Sequence, residues 1–600
     1  MTEEAPPSRR ASVHLALVLA LFAIGSMEWK GYRFGGSNQS LQVPLLKHLA
    51  DPSLYTRDPV LTSFEGYSSF FFQALAPAVR VTGVEPLYFA LYLLLHMAAL
   101  AALFGLARRL FASTAAGVIA CVLYVAAVPS LGAEFTYWPR LTHAHAATAV
   151  LLGALYFYVA GRTRLAFVLC GLAFDIHALY AAYVGAMLLG DSVLRLRERG
   201  ARRVAGDAAA LLLLAAPTLL WILRRHDVVA TGEWATWLAI MRERSASHTF
   251  PSLVPADVFG RYVVLIAIGG LAWSVLPDAE RPRTIVHFAI AIGVLCAIGV
   301  LGAEVVPIRR IIEAQLLRST KWLTVFVLLY VARLAVVSWD WGGLARVAAA
   351  AVVGGLVLQQ PGWLALGLAL YLVGQAPRWP LPAAAAGGLA LVIAAATGAA
   401  DLPERLGVQQ AAQALSAVLQ RPAVAACLAG FVLLRAAAGR TGALARHLPV
   451  AAALAAIVYA LPRMYVEHRA AVAAEPWNDV QLWARAHTPR DAVLLTPPYR
   501  EGFRVFSERA IVGEWKDGTQ QFFSWPFTAL WRRRMVDVRG GEEPLYDTFS
   551  AEELAAVARQ YGAEYAVVAA ATTAPFDRLY ENPEFAVYRI PRVGTASAAP

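Results

Sequence analysis

Several groups of residues in this chain have types and spacings that chemistry can use. Asp51 and Asp58 each precede a proline, in Asp51-Pro52 and Asp58-Pro59, and aspartate before proline is a common device for starting a turn or helix. Arg140, His143 and His145 fall where Tyr137-Trp138-Pro139 runs into an apolar block. Two histidines two residues apart do not share a helical face, so a two-histidine metal site is weak there. Arg140 reads either as an interfacial anchor with Trp138 or as a phosphate contact. Asp175 and His177 interrupt a further apolar block. Ionisable groups at membrane depth are costly and mark function by default, so these two either pair with each other or face a cavity. His248 follows Arg242 and Arg244, a stretch that holds a phosphate or lines headgroups. In the basic stretch from Arg309 to Lys321, Gln315, Arg318 and Ser319 lie within a turn of each other. That stretch reads as snorkelling anchors or as a phosphate site. No ligand set stands out, so no metal residue is named, and a divalent cation stays open as a cofactor.

The elements that position these residues follow from composition. Hydrophobic residues make up 58% of the 600-residue chain and charged residues 16%, against about 25% charged in soluble domains. Apolar runs recur from residue 12 to residue 465, each near the roughly 20 residues a bilayer-crossing helix needs. The reading is a polytopic α-helical membrane protein, which excludes a soluble enzyme, a secreted disulfide scaffold and a disordered tail protein. Cys121, Cys170, Cys296 and Cys427 lie inside apolar blocks and read as packing residues. The net charge of +11 fits basic loops facing the cytoplasm and anionic lipid, not nucleic acid.

The block from Arg164 to Leu194 is too long for one crossing and carries Asp175-Ile176-His177 at its middle. As a hairpin turning at Asp175–Ala178 it removes those groups from midplane, where a charge costs about 2.5–3.5 kcal/mol. With the hairpin, the arginine-rich loops, including the Arg195–Arg203 cluster and Arg435/Arg440/Arg446, all face the cytoplasm. This gives about 13–15 crossings, an uncleaved first helix, a cytoplasmic N-terminus and an external C-terminus. The expected organisation is a membrane domain over 1–465 with a large first external loop at 28–85. An external α/β domain follows over 470–592, and a disordered tail over 593–600. In the external domain a helix from Pro476 to about His487 and strands at 492–496, 510–512, 565–568 and 585–590 predict a mostly parallel sheet.

Many short-looped helices, a large first external loop and an external C-terminal α/β domain together resemble the GT-C superfamily of integral-membrane glycosyltransferases. Trp477-Asn478-Asp479-Val480, His487-Thr488-Pro489 and Asp491 through Thr496 look like the tail of its oligosaccharyltransferase and mannosyltransferase branches. So does Tyr580-Glu581-Asn582-Pro583 before Phe585–Arg589. The first loop from Leu49 to Pro59, Gln315-Leu316-Leu317-Arg318-Ser319, Phe503-Arg504, Ser507-Glu508-Arg509 and Trp515-Lys516 are similar to an uncharacterised bacterial GT-C-like family. The resemblance implies transfer from a polyprenyl-phosphate-linked sugar to a glycan, lipid or protein acceptor at the outer face of the cytoplasmic membrane. It also implies an acidic base in the first external loop, which casts Asp58, then Asp51, as catalytic. Asn38, Arg140, His143, Asp175, His177, His248, Gln315, Arg318 and Lys321 are cast as substrate or lipid-phosphate contacts. The chain departs from the pattern at Gly35-Gly36-Ser37-Asn38-Gln39-Ser40, where amides stand in place of an acidic pair. The competing reading is a non-catalytic membrane protein of the same shape, a transporter or scaffold. Only one interrupted block appears where a transporter repeat would show two.

Overall fold

The computed structural model describes residues 9–224, 229–375, 378–399, 420–436, 443–541 and 545–591. The expected tail at 593–600 and Arg440 lie outside the described residues. Helices α1 (Arg9–Lys30), α2 (Gln39–Ala50), α3 (Phe71–Thr82), α4 (Val84–Phe111) and α5 (Thr114–Val125) open the chain. A two-stranded hairpin, β1 (Pro129–Ser130) and β2 (Glu134–Phe135), leads into α6 (His143–Val159). Then come α7 (Thr163–Ile176), α8 (Ala178–Leu194), α9 (Leu196–Arg199), α10 (Ala201–Arg224), α11 (Trp234–Thr249), α12 (Ala256–Val275), α13 (Arg283–Val300), α14 (Arg309–Glu313) and α15 (Thr320–Trp341). The bundle closes with α16 (Gly343–Val357), α17 (Pro361–Gly374), α18 (Leu381–Ala396), α19 (Pro422–Ala436) and α20 (Ala443–Ala474).

Among the described residues, seven helices are long and apolar enough to cross a membrane, and further apolar helices such as α5, α6 and α8 are shorter. At 1.5 Å per residue, the 12 residues of α5 span about 18 Å, short of a 30 Å hydrocarbon core. Helix α15 is buried around most of its circumference, from Trp322 to Ser338. By contrast α10 leaves Leu212, Leu213, Leu220 and Leu223 exposed. A helix apolar all round belongs at the centre of a bundle, and an outer apolar stripe of this kind needs lipid against it.

The 164–194 block is a hairpin. It breaks at His177, whose extended backbone ends α7 and whose Nδ1 accepts the Tyr180 N–H to cap α8. Cys170 Sγ reaches the carbonyl of Ala181, and a Cβ built on Gly185 would stand 3.7 Å from that same sulfur. Cys170, before the turn, therefore faces Ala181 and Gly185 after it, as antiparallel helices require.

The C-terminal unit contains α21 (Pro476–His487), α22 (Phe503–Ser507), α23 (Trp525–Asp537) and α24 (Ala551–Gln560) around a five-stranded sheet. Its strands are β3 (Val493–Leu495), β4 (Ala510–Ile511), β5 (Tyr565–Ala569), β6 (Arg578–Glu581) and β7 (Phe585–Arg589), in the order β4-β3-β5-β7-β6. Alternation with period two buries both faces. Leu494, Ile511, Val567 and Val587 share one apolar cluster with Trp477 and Val480 of α21, while Val493, Leu495, Ala566 and Val568 join the main core. The expected mostly parallel sheet is corrected to a mixed one. Strand β3 runs parallel to β4 and β5, but β5–β7 and β6–β7 are antiparallel. The reason is connection length: β6 and β7 are joined by the Asn582–Glu584 turn, too short for the crossover that a parallel pair needs.

Candidate functional site

The first loop, the hairpin tip, the 309–319 segment and the C-terminal unit meet around one cavity of about 320 Å³. Local bonds place each wall. Ser69 Oγ donates to the Ile176 carbonyl at 2.7 Å and the Phe70 N–H to the Asp175 carbonyl at 2.8 Å, so the first loop is stitched to the hairpin tip. Thr142 caps α6 by accepting the His145 N–H, a bond worth about 1 kcal/mol. His143 thereby faces the cavity, with Gln42 Nε2 at 2.9 Å from its Nδ1 and the His177 ring stacked at 4.5 Å.

The 309–319 wall rests on a strained turn. Gln315 adopts φ 46°, ψ 47°, a left-handed conformation that costs a non-glycine residue about 1–2 kcal/mol. Tyr183 holds it by donating to the carbonyls of Ala314 (2.6 Å) and Gln315 (2.9 Å). Behind this turn stands Gly132, with φ +74°, where an added Cβ would lie 2.8 Å from the Arg318 backbone nitrogen. Only glycine lets the β1–β2 hairpin come that close to Arg318.

Glu134, on that hairpin, was not singled out in the sequence. Its Oε1 accepts from Arg318 Nε at 2.6 Å and from Arg318 NH2, and its Oε2 from the Tyr180 hydroxyl at 2.5 Å. Lys321 Nζ stands 3.9 Å away. Burial pushes the Glu134 carboxyl up, but the charges of Arg318 and Lys321 and the Tyr180 hydroxyl together hold it below the usual range. One buried carboxylate thus faces a buried lysine and a half-buried arginine. A second group, Glu313 with Arg309 (2.8 Å) and Arg310 (3.0 Å), repeats the two-to-one ratio, and Lys516 adds another cation to the wall. Five cations against two carboxylates leave the cavity's surroundings positive, a field suited to an oxyanion.

His248 lines the same cavity. Its Nδ1 lies 3.0 Å from the Gly132 carbonyl, so this nitrogen carries the proton and Nε2 is left as a bare acceptor. Burial and then the Arg318 charge push its pKa down to about 4.

Of the residues expected from sequence, the cavity wall unites Asn38, His143, His177, His248, Gln315 and Arg318. Lys321 sits beneath it, 3% exposed. Of the two alternatives for Asp175 and His177, pairing does not form: His177 faces the cavity, while Asp175 turns away, its Oδ1 accepting from the Thr218 hydroxyl at 2.7 Å. Arg140 stands apart, beside Gly36.

The expected base is placed elsewhere. Asp58 does not line the cavity. Its Oδ2 accepts from Arg504 Nε (2.6 Å) and the Ile511 N–H (3.0 Å), and its Oδ1 from Arg504 NH2 (3.1 Å) and the Val60 N–H (3.0 Å). With every strong acceptor direction filled and 3% exposure, this carboxylate ties the first loop to the C-terminal unit. Asp51 is ion-paired with Arg490 at the surface. Its aspartate-proline role is the turn, with Ser53 donating to Oδ1.

Residues 475–538 match a family model described as a domain of unknown function, DUF6798. That segment contains Arg504, Glu514, Lys516 and Asp517. The curated proteins hold no match to the chain. Among solved structures the chain is similar to ArnT from Cupriavidus metallidurans bound to undecaprenyl phosphate, at 14% identity and a TM-score of 0.44, over 96% of each chain. It is also similar to the Archaeoglobus fulgidus oligosaccharyltransferase in the apo form, at 14% identity and a TM-score of 0.30, over 93% of this chain and 69% of that one. The likeness is one of layout along the chain, and no residue role passes through it.

Proposed function

We propose that this chain is an integral-membrane glycosyltransferase that moves a sugar from a polyprenyl-phosphate-linked donor to an acceptor hydroxyl. The observation that supports it is the common cavity, where the first loop and the Arg318 segment meet under an excess of positive charge at the ends of apolar helices. A lipid-borne phosphate reaches such a place from the membrane. In the transfer, the acceptor oxygen bonds to the anomeric carbon as the carbon–oxygen bond to phosphate breaks. The bonding electrons leave with the lipid phosphate, and the acceptor proton passes to a base. Arg318, set by Glu134 and backed by Lys321, meets the charge gathering on the phosphate, with Arg310 at the rim. The bare Nε2 of His248 takes the proton. Asp58 serves as an anchor in this reading. The N-terminus is cytoplasmic and the C-terminal unit faces the outside of the cytoplasmic membrane.

One observation favours a second reading, a non-catalytic scaffold of the same shape. Glu313 is the one carboxylate on the cavity wall among the described residues, and two arginines hold it. Transfer from polyprenyl-phosphate sugars in proteoliposomes separates the two readings. The transferase reading expects turnover in the wild type and a raised KM for donor in Arg318→Lys, which keeps the charge but loses the planar fork. No transfer across a panel of donors would favour the scaffold, while turnover with an unchanged KM in Arg318→Lys would remove Arg318 as the phosphate contact.

A further inference from the structure

We propose that Arg33, Arg140 and Lys516 form a second oxyanion site beside the cavity, one that holds a phosphate group carried by the acceptor. The inference rests on the transferase reading for the word acceptor, and on geometry for the site.

The neighbouring cations of the C-terminal interface are paired: Arg57 with Glu564, Arg485 with Glu508, Arg490 with Asp51 and Arg500 with Glu584. Arg33, Arg140 and Lys516 have no ion pair and no side-chain hydrogen bond among the described residues. Arg140 Nε is fully buried with no partner, a condition that costs a charged donor more than a neutral one.

The backbone brings the two arginines together, and the Arg140 charge reaches Lys516 across the interface. The Arg33 N–H donates to the Pro139 carbonyl at 2.8 Å, joining the two segments that carry the arginines. The Arg140 guanidinium lies against Gly36, where a Cβ would stand 3.6 Å from NH1. From the other side, Gly502 (φ +84°) packs so tightly on the Gly35 carbonyl that a Cβ would come within 2.5 Å. That contact seats the C-terminal unit on the 33–38 turn. Lys516 and Asn38 both line the cavity, so an anion held here is next to the Arg318 wall. Other charges act on the cluster: the carboxylates Glu501 and Glu514, and Arg244, which stacks over Trp515 at 4.5 Å. Burial and then the Arg33 charge lower the pKa of Arg140, and burial lowers that of Lys516. Like charges kept close and unpaired are stabilised when a ligand anion completes them.

The test is a thermal-unfolding titration of the purified chain in neutral detergent with inorganic phosphate, chloride holding ionic strength constant. A saturable rise in midpoint is expected in the wild type. Arg140→Gln and Lys516→Gln should each weaken the apparent affinity about tenfold or more, while Arg140→Lys, which keeps the charge, should retain most of it. A phosphate effect that is absent, or that disappears in Arg318→Gln and survives in Arg140→Gln, would overturn the site. A nanodisc arm identifies the occupant. If anionic bilayer lipid alone, without phosphate, protects the wild type but not Arg140→Gln, a headgroup fills the site and the acceptor assignment is overturned. This readout needs no turnover, so an inactive wild type would remove the transferase reading and leave the phosphate titration to be judged separately.

Discussion

Arg318 and Asp58 are both held by opposite charges, yet they are held for different ends. The Glu134–Arg318 pair carries a surplus cation in Lys321, which leaves net positive charge facing the cavity. The Asp58–Arg504 pair is closed on every side, with Asp517 Oδ1 at 2.8 Å from Arg504 NH1 and no surplus cation to offer. Asp58→Asn should therefore act on stability, by about 1.5–3 kcal/mol for the charged hydrogen bonds it weakens, since Asp517 still pairs Arg504, and should leave the turnover of whatever protein folds within a few-fold of wild type. His248→Gln should do the reverse, lowering transfer about 10²–10⁴-fold with little change in thermal midpoint. Single-turnover transfer measured beside thermal unfolding checks both, and a His248→Gln chain with full turnover would remove the proposed base. The sequence directed attention to Asp58 because it carries a carboxylate in the right loop. The partner that seals it lies 446 residues away, at Arg504. Glu134 escaped notice for the matching reason. It is a lone acid in a short aromatic loop, and its partner Arg318 is 184 residues distant.

At the scale of elements, three carboxylates, Asp58, Glu514 and Asp517, surround the single buried guanidinium of Arg504. Burial, and then the Asp517 charge beside it, push the Glu514 carboxyl up. The folded chain consequently binds more protons than the unfolded chain above the ordinary glutamate value of 4.5. By linkage, stability must fall as pH rises through the window that opens there. Glu514→Gln keeps position 514 neutral at all pH values, so its thermal midpoint should decline less than that of the wild type between pH 5 and 8, in roughly the range where a raised glutamate titrates. Parallel pH dependences for the two chains would show that Glu514 is not the linked group. The elements themselves were largely readable. Apolar length marked the membrane helices, Asp175-Ile176-His177 marked the hairpin turn, and β-branched runs marked four strands. Strand β6 (Arg578–Glu581) was not readable, because its half-exposed Arg-Leu-Tyr-Glu lacks an apolar run and owes its place to pairing with β7.

At the scale of the whole molecule, the cavity exists because the C-terminal unit docks on the first loop. Lys47 Nζ donates to the Val505 carbonyl at 2.7 Å and to Glu508 at 2.8 Å, and the Tyr55 hydroxyl donates to the Arg504 carbonyl at 2.9 Å. Lys516, Thr519, Gln520, Phe522 and Phe523 then complete the wall opposite Arg318. Individual wall residues could be picked from sequence, but their meeting could not, since it depends on contacts between segments hundreds of residues apart. Under the proposed function this cavity receives a lipid-borne phosphate. The most direct measurement is a structure of the chain in lipid nanodiscs with a polyprenyl monophosphate. The phosphate is expected inside the cavity, within hydrogen-bond reach of the Arg318 guanidinium and facing Asn38 and His248. A polyprenyl phosphate bound only at the outer surface of the bundle, with the Arg318 wall unoccupied, would contradict it.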